Sequence, residues 1–140
     1  MSMNDDVFRK LTVEQSLAYL ADVQPGRLVL HRNKDLEIFP INFVIDGEDI
    51  YFRTAEGSKL FTLTLNHDVL FEADGVDDGT AWSVIVRGAA EVLEDSAAVA
   101  HAETLDLKPW APTLKYNWVR IQATEISGRE FEIAEEPERY

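Results

Sequence analysis

A chain of 140 residues with 46% hydrophobic and 28% charged side chains has the composition of one globular domain and the length to bury a core. Its 26 acidic and 13 basic residues leave a net charge of −13, which repels phosphate backbones and anionic lipid and argues against nucleic-acid or membrane-surface binding. With no cysteine, disulfides, thiolate nucleophiles and thiolate-bound metals are removed from consideration.

Residues 1–10 read as an N-terminal arm that lacks the basic end and apolar run of a signal peptide, so a cytoplasmic protein is expected. No apolar run approaches the ~18 residues of a membrane span. Thr12 and Gln15 have the spacing of a capping box, and Val13, Leu17, Leu20 and Ala21 recur on one face, which predicts a helix ended by Pro25 and Gly26.

The period then changes to two. "GRLVLHR" reads as a strand, "NKD" as a turn and "LEIFPINFVI" as a second strand. "DGED" is a hairpin turn with Gly47 available for positive φ, and "IYFRT" is the third strand. "SKLFTLTLN" reads as a short helix, "DVLFEAD" as a fourth strand and "GVDDGT" as its turn. In "AWSVIVRGAAEVL", Trp82, Val84, Val86 and Val92 share one face, and Gly88 marks a bulge or a close backbone approach. "DSAAVAHAETLDL" is a second helix capped by Asp95 or Ser96, "KPWAPTLKYN" a loop, and "WVRIQATEI" the last strand. Residues 134–140 read as a solvated acidic tail. About six strands linked by tight turns predict a mainly β single domain, an antiparallel closed or split barrel with flanking helices.

The scarce cations gather at one place. Arg53, Thr54, Ser58 and Lys59 surround Gly57 between a strand and the predicted short helix. A helix N-terminus with two cations and two hydroxyls suits an anion. A plain serine cap flanked by solvated cations explains the same residues. In "FPINFV", Pro40 removes a ladder donor, so its strand lies at an edge or interrupts its pairing there. Backbone groups freed in this way, with the Asn42 amide, suit a flat heteroaromatic ligand, although an ordinary edge proline also fits. Trp82 and Trp110 are placed to stack on a ring or close a subunit interface, while Trp118 is expected in the core. His31, His67 and His101 lack metal-site spacing, and "DGVDDG" has Val76 and Ile85 where a calcium loop needs ligands. No serine sits in a nucleophile elbow and no side chain reads as a general acid or base, so no catalytic residue is assigned.

Taken in order, "GRLV", "FPINFVIDGEDIYFRTAEGSKL", "NHDVLFEAD" and "WSVIVRGAAEVL" resemble the pyridoxamine phosphate oxidase-like, flavin-mononucleotide (FMN)-binding split-barrel proteins. The resemblance spans residues 26–93 and resumes at "VRIQATEISGREF". It implies an FMN-dependent oxidoreductase acting on an unidentified small molecule, with the cofactor at a homodimer interface. On the same resemblance, Arg53, Thr54, Ser58 and Lys59 hold the flavin phosphate. Pro40, Ile41, Asn42 and Phe43 line the isoalloxazine ring, and Trp82, Ser83 and Trp110 come from the opposing subunit. The C-terminal part has no counterpart of the substrate-binding segment of true pyridoxamine phosphate oxidases, so that substrate is not implied. A deazaflavin-dependent reductase, whose cofactor needs a wider basic groove, and a non-enzymatic flavin- or haem-binding protein are the alternatives.

Overall fold

The computed structural model describes residues 7–55, 57, 62–63, 66–107 and 117–136. Their strands are β1 (Arg9–Leu11), β2 (Gly26–Arg32), β3 (Asp35–Ile41), β4 (Val44–Asp46), β5 (Asp49–Thr54), β6 (Asp68–Asp77), β7 (Thr80–Val92) and β8 (Asn117–Glu132). Two helices flank them, α1 (Val13–Ala21) and α2 (Ser96–Glu103). The strands form one antiparallel sheet in the order β3-β2-β6-β7-β8-β5-β4, with β1 paired to β8. The fold is the expected mainly β split barrel.

The split has a definite place. The predicted strand "LEIFPINFVI" is two strands, β3 at one edge of the sheet and β4 at the other. Only Asn42 and Phe43 separate them, so Ile41 and Val44 are at most about 11 Å apart. The sheet must therefore curl until its two edges nearly meet, although no ladder closes it. Pro40 sits in edge strand β3 opposite Arg27, where its missing N–H costs no central ladder bond. At the seam Phe43 is buried and packs edge-on against Phe71, with ring centroids 4.7 Å apart. The Gln24 side chain serves as its ladder partner: Phe43 N–H donates to Oε1 at 2.9 Å, and Nε2 donates to the Phe43 carbonyl at 2.5 Å. Gln24→Ala is expected to cost about 1–3 kcal/mol, because it leaves both backbone groups of a buried residue unpaired. Urea denaturation of the variant checks this, and a loss under about 0.5 kcal/mol would show that water replaces the amide.

Inside the curl, Leu28, Leu30, Phe43, Ile50, Phe52, Phe71, Val84, Val86, Val119 and Ile121 are fully buried. The last strand runs well past the predicted "WVRIQATEI", over sixteen residues to Glu132. Gly88 does mark a bulge, but the extra residue is Thr124 on β8, since Arg87 pairs with Glu125 and Gly88 with Ala123. A Cβ on Gly88 would come within 2.4 Å of the Gln122 carbonyl oxygen, so the close approach and the bulge coincide. The bulge shifts the phase of β8: Val119 and Ile121 are buried before it, and Gly128 after it. The "GVDDGT" turn is narrower than expected, because β6 continues to Asp77 and only Asp78 and Gly79 turn, both at positive φ.

The Thr12–Gln15 capping box forms as predicted. The buried face of α1 is rotated, however. It presents Ser16 and Leu20 to the core, while Val13 and Ala21 are exposed. Gly128 explains the rotation: without a Cβ it lets the Ser16 hydroxyl lie against β8, and that hydroxyl is satisfied by donating to the Thr12 carbonyl at 2.9 Å. Asp95 caps α2 through the Ala98 N–H. Ala102 of α2, with Val99 beside it, packs on Tyr51 of β5, Trp118 of β8 and Leu93 in a second apolar cluster on the outer face of the sheet. Of "SKLFTLTLN", Thr62 and Leu63 are helical and the remainder lies largely outside the described residues. Arg9 and Lys10, within the expected arm, pair with β8. No helix among the described residues is long and apolar enough to cross a membrane.

Candidate flavin site

Strand alternation sends Arg53 and Thr54 to opposite faces of β5. Thr54 follows Ile50 and Phe52 inward, is 4% exposed, and donates its hydroxyl to the Ala55 carbonyl at 3.1 Å. Arg53 faces outward with Tyr51, and its guanidinium lies over Trp118, 5.2 Å from the ring centroid. Trp118 is its direct cross-strand partner and is core, as expected. The indole is fixed by α2, donating from Nε1 to Glu103 Oε1 at 2.9 Å. A helix thus positions a tryptophan, and the tryptophan positions an arginine.

The Arg53 guanidinium is partly unsatisfied. Among the described residues, Nε of Arg53 and Nε of Arg120 are the buried side-chain nitrogens with no hydrogen-bond partner. Arg120 has a carboxylate beside it, with Nη2 donating to Glu91 at 2.5 Å. Arg53 has no ion pair among the described residues. A half-buried guanidinium stacked at a strand end, with no ion pair among the described residues, has the charge and the donor geometry that an anion takes. Gly57, just beyond, has a φ of +154°, a conformation that glycine takes and L side chains rarely do. Ser58 and Lys59 lie outside the described residues, as does Trp110.

The second segment divides by face. Ile41 and Phe43 point into the core, while Pro40 is exposed and Asn42 half-buried. The side chains of Ile41 and Phe43 are therefore committed to packing, and the Phe43 backbone to Gln24. The expectation of free backbone groups along this stretch does not hold at Phe43. Trp82 is likewise interior: it is 6% exposed and stacks on Tyr19 at 4.7 Å with planes 15° apart. Tyr19 donates its hydroxyl to Glu130 at 2.6 Å, and that carboxylate, reinforced by burial, pushes the phenol pKa up. Ser83, next in β7, faces outward into a cavity of about 330 Å³ that also holds Lys10, Ser127 and Arg129. Sequence reasoning missed those three, because residues 10 and 129 meet only through the β1–β8 register.

The family model described as pyridoxamine 5′-phosphate oxidase matches residues 12–130. The chain belongs to this family. The match includes α1 and most of β8, beyond the stretch in which the resemblance was strongest. An uncharacterized relative from Mycobacterium tuberculosis is 45% identical over 96 residues, 69% of this chain and 87% of that protein. Among solved structures, a Corynebacterium glutamicum protein provisionally named a pyridoxamine 5′-phosphate oxidase shares 54% identity at a TM-score of 0.83, covering 90% of this chain and 99% of that one. The FAD-binding protein from Mycobacterium smegmatis shares 41% identity at a TM-score of 0.77, covering 89% and 98%. Membership of the pyridoxamine 5′-phosphate oxidase family accounts for the split sheet and its strand order; the activity of each member is decided by its own site.

Proposed function

We propose that this protein binds a flavin, FMN in the first instance, at the interface of a homodimer, and acts as a flavin-dependent oxidoreductase on a small molecule. The observation that carries the reading is the half-buried Arg53 guanidinium, stacked on Trp118 with Nε unpartnered among the described residues. A phosphate monoester carries roughly two negative charges near neutral pH and offers the acceptors that this donor lacks. Arg53 would hold that phosphate, with Ser58 and Lys59 beside it in the order of the family resemblance. The exposed side of the Pro40–Asn42 stretch would lie along the ring. Bound flavin supplies the hydride or electron transfer, and the protein's part is to bind, orient and shield it. The M. smegmatis relative, named as an FAD-binding protein, favours a second reading in which the cofactor is the dinucleotide.

The experiment is the visible spectrum of the purified chain before and after titration with FMN and FAD, followed by anaerobic reduction. Flavin uptake that perturbs the spectrum, and reoxidation by an added acceptor, are the expected results. A chain that takes up neither flavin would sink the proposal.

The proposed dimer has support in the outer face of the sheet. Ile38 and Leu36 are 63% and 76% exposed on β3, and Ile38, Val29 and Leu70 follow one another across β3, β2 and β6. Adjacent apolar side chains in a contiguous patch mark an association surface. Ile38→Asp is expected to shift the protein toward monomer in sedimentation equilibrium and to weaken flavin uptake with it. A variant that stays dimeric would place the interface elsewhere.

A further inference from the structure

Lys10 and Arg129 are direct cross-strand partners in the β1–β8 ladder. Side chains so placed stand about 5 Å apart at Cβ, where like charges repel. Among the described residues neither makes an ion pair, in a chain with 26 carboxylates. Acids are near at hand but taken. Arg9, on the other face of β1, bonds Glu130 at 3.3 Å, and Asp74, the cross-strand partner of Ser83 on the same side, is held by Arg27 at 2.8 Å. Ser83 of β7 lies opposite Arg129, and Ser127, two residues back along β8, faces the same side. Phe8 completes the wall, its ring 5.6 Å from the Arg129 guanidinium carbon.

We propose that Lys10, Arg129, Ser83 and Ser127 form a second anion site, which takes a phosphate or pyrophosphate group of a ligand. An anion between the two cations turns their repulsion into shared attraction. The guanidinium offers a planar fork steadied by Phe8, the ammonium a point charge, and the hydroxyls two further donors. The site is separate from the Arg53 corner. Trp118, under Arg53, and Arg129 are eleven residues apart on β8, roughly 35 Å of strand. A phosphorylated substrate bound beside the cofactor supplies such a group; a dinucleotide flavin held by its FMN phosphate at Arg53 does not, because its two phosphates share one bridging oxygen. That assignment rests on the flavin reading; the anion site itself does not.

Inorganic pyrophosphate, titrated into the purified chain by calorimetry, is expected to bind with an affinity that falls as salt rises. Lys10→Gln and Arg129→Ala should each weaken it at least tenfold, whereas Arg9→Ala, on the opposite face, should leave it unchanged. Melting without ligand controls for folding, and relief of the like-charge pair should keep the Tm of Lys10→Gln at or above that of the parent. FMN then tests the separation of the two sites. Unchanged FMN affinity in Arg129→Ala with pyrophosphate binding lost supports a site apart from the flavin phosphate, and a parallel loss of both overturns it. Pyrophosphate that fails to bind at millimolar concentration, or binds both variants as tightly as the parent, overturns the proposal. Failure of the flavin reading is distinct: neither flavin binds, and the pyrophosphate titration remains readable.

Discussion

Arg53→Ala is expected to weaken FMN binding about 30- to 100-fold while leaving riboflavin affinity unchanged. Hydrogen bonds to charged groups contribute about 1.5–3 kcal/mol each, and 1.4 kcal/mol is a tenfold change in affinity. Arg53 is half-buried and has no competing carboxylate among the described residues, so its charge is available to the phosphate. Riboflavin has the same ring system and no phosphate, which makes it the internal control. Arg53→Lys should recover part of the loss, because it restores the charge without the planar fork or the stacking on Trp118. Fluorescence titration of both flavins against the three proteins provides the measurement. Equal losses for FMN and riboflavin in Arg53→Ala would mean that the guanidinium does not read the phosphate.

The largest stability effect should come from the seam of the sheet. Phe71→Ala is expected to cost about 3–5 kcal/mol, the range for deleting a fully buried phenylalanine, against about 5–15 kcal/mol for a whole domain. Phe71 is fully buried, meets Phe43 edge-on and lies so close over Gly26 that a Cβ there would come within 2.4 Å of its ring. It therefore joins the start of β2 to the residue at which β3 passes into β4. Phe71→Leu should lose considerably less, since it keeps most of the volume. Chemical denaturation followed by circular dichroism measures both. A loss below about 1.5 kcal/mol for Phe71→Ala would show that the core collapses around the gap.

Local chemistry was legible in the residues. β2 coincides with "GRLVLHR", Gly47 turns at φ +63°, and the α1 cap has the predicted reciprocal bonds. Each depends on atoms a few positions apart, which a short stretch of chain dictates by itself. The edge position of Pro40 and the bulge at Gly88 were readable for the same reason, since a missing N–H and a missing Cβ restrict any strand that contains them. The face of α1 was not, because its rotation answers to Gly128, more than a hundred residues away.

The candidate site divides in the same manner. That Arg53 sits at a strand end beside a glycine turn is a property of "YFRTAEGSKL". That its guanidinium lies on Trp118, itself tied to Glu103, required β5, β8 and α2 to assemble. Trp82 divides likewise: its place near the head of β7 is a property of the stretch itself, and its stacking on Tyr19 required α1 to pack on the sheet.

By itself, then, the sequence determined a β-rich chain, most of its turns and caps, and a cation-bearing corner. Only the tertiary structure decided that one apparent strand supplies both edges of the sheet, and that Lys10 and Arg129 face one another across a ladder. The physical reason is range. Turns and caps are set by bonds among neighbouring residues, whereas register is set by the burial of whole strand faces, and a one-residue slip reverses every side chain it carries.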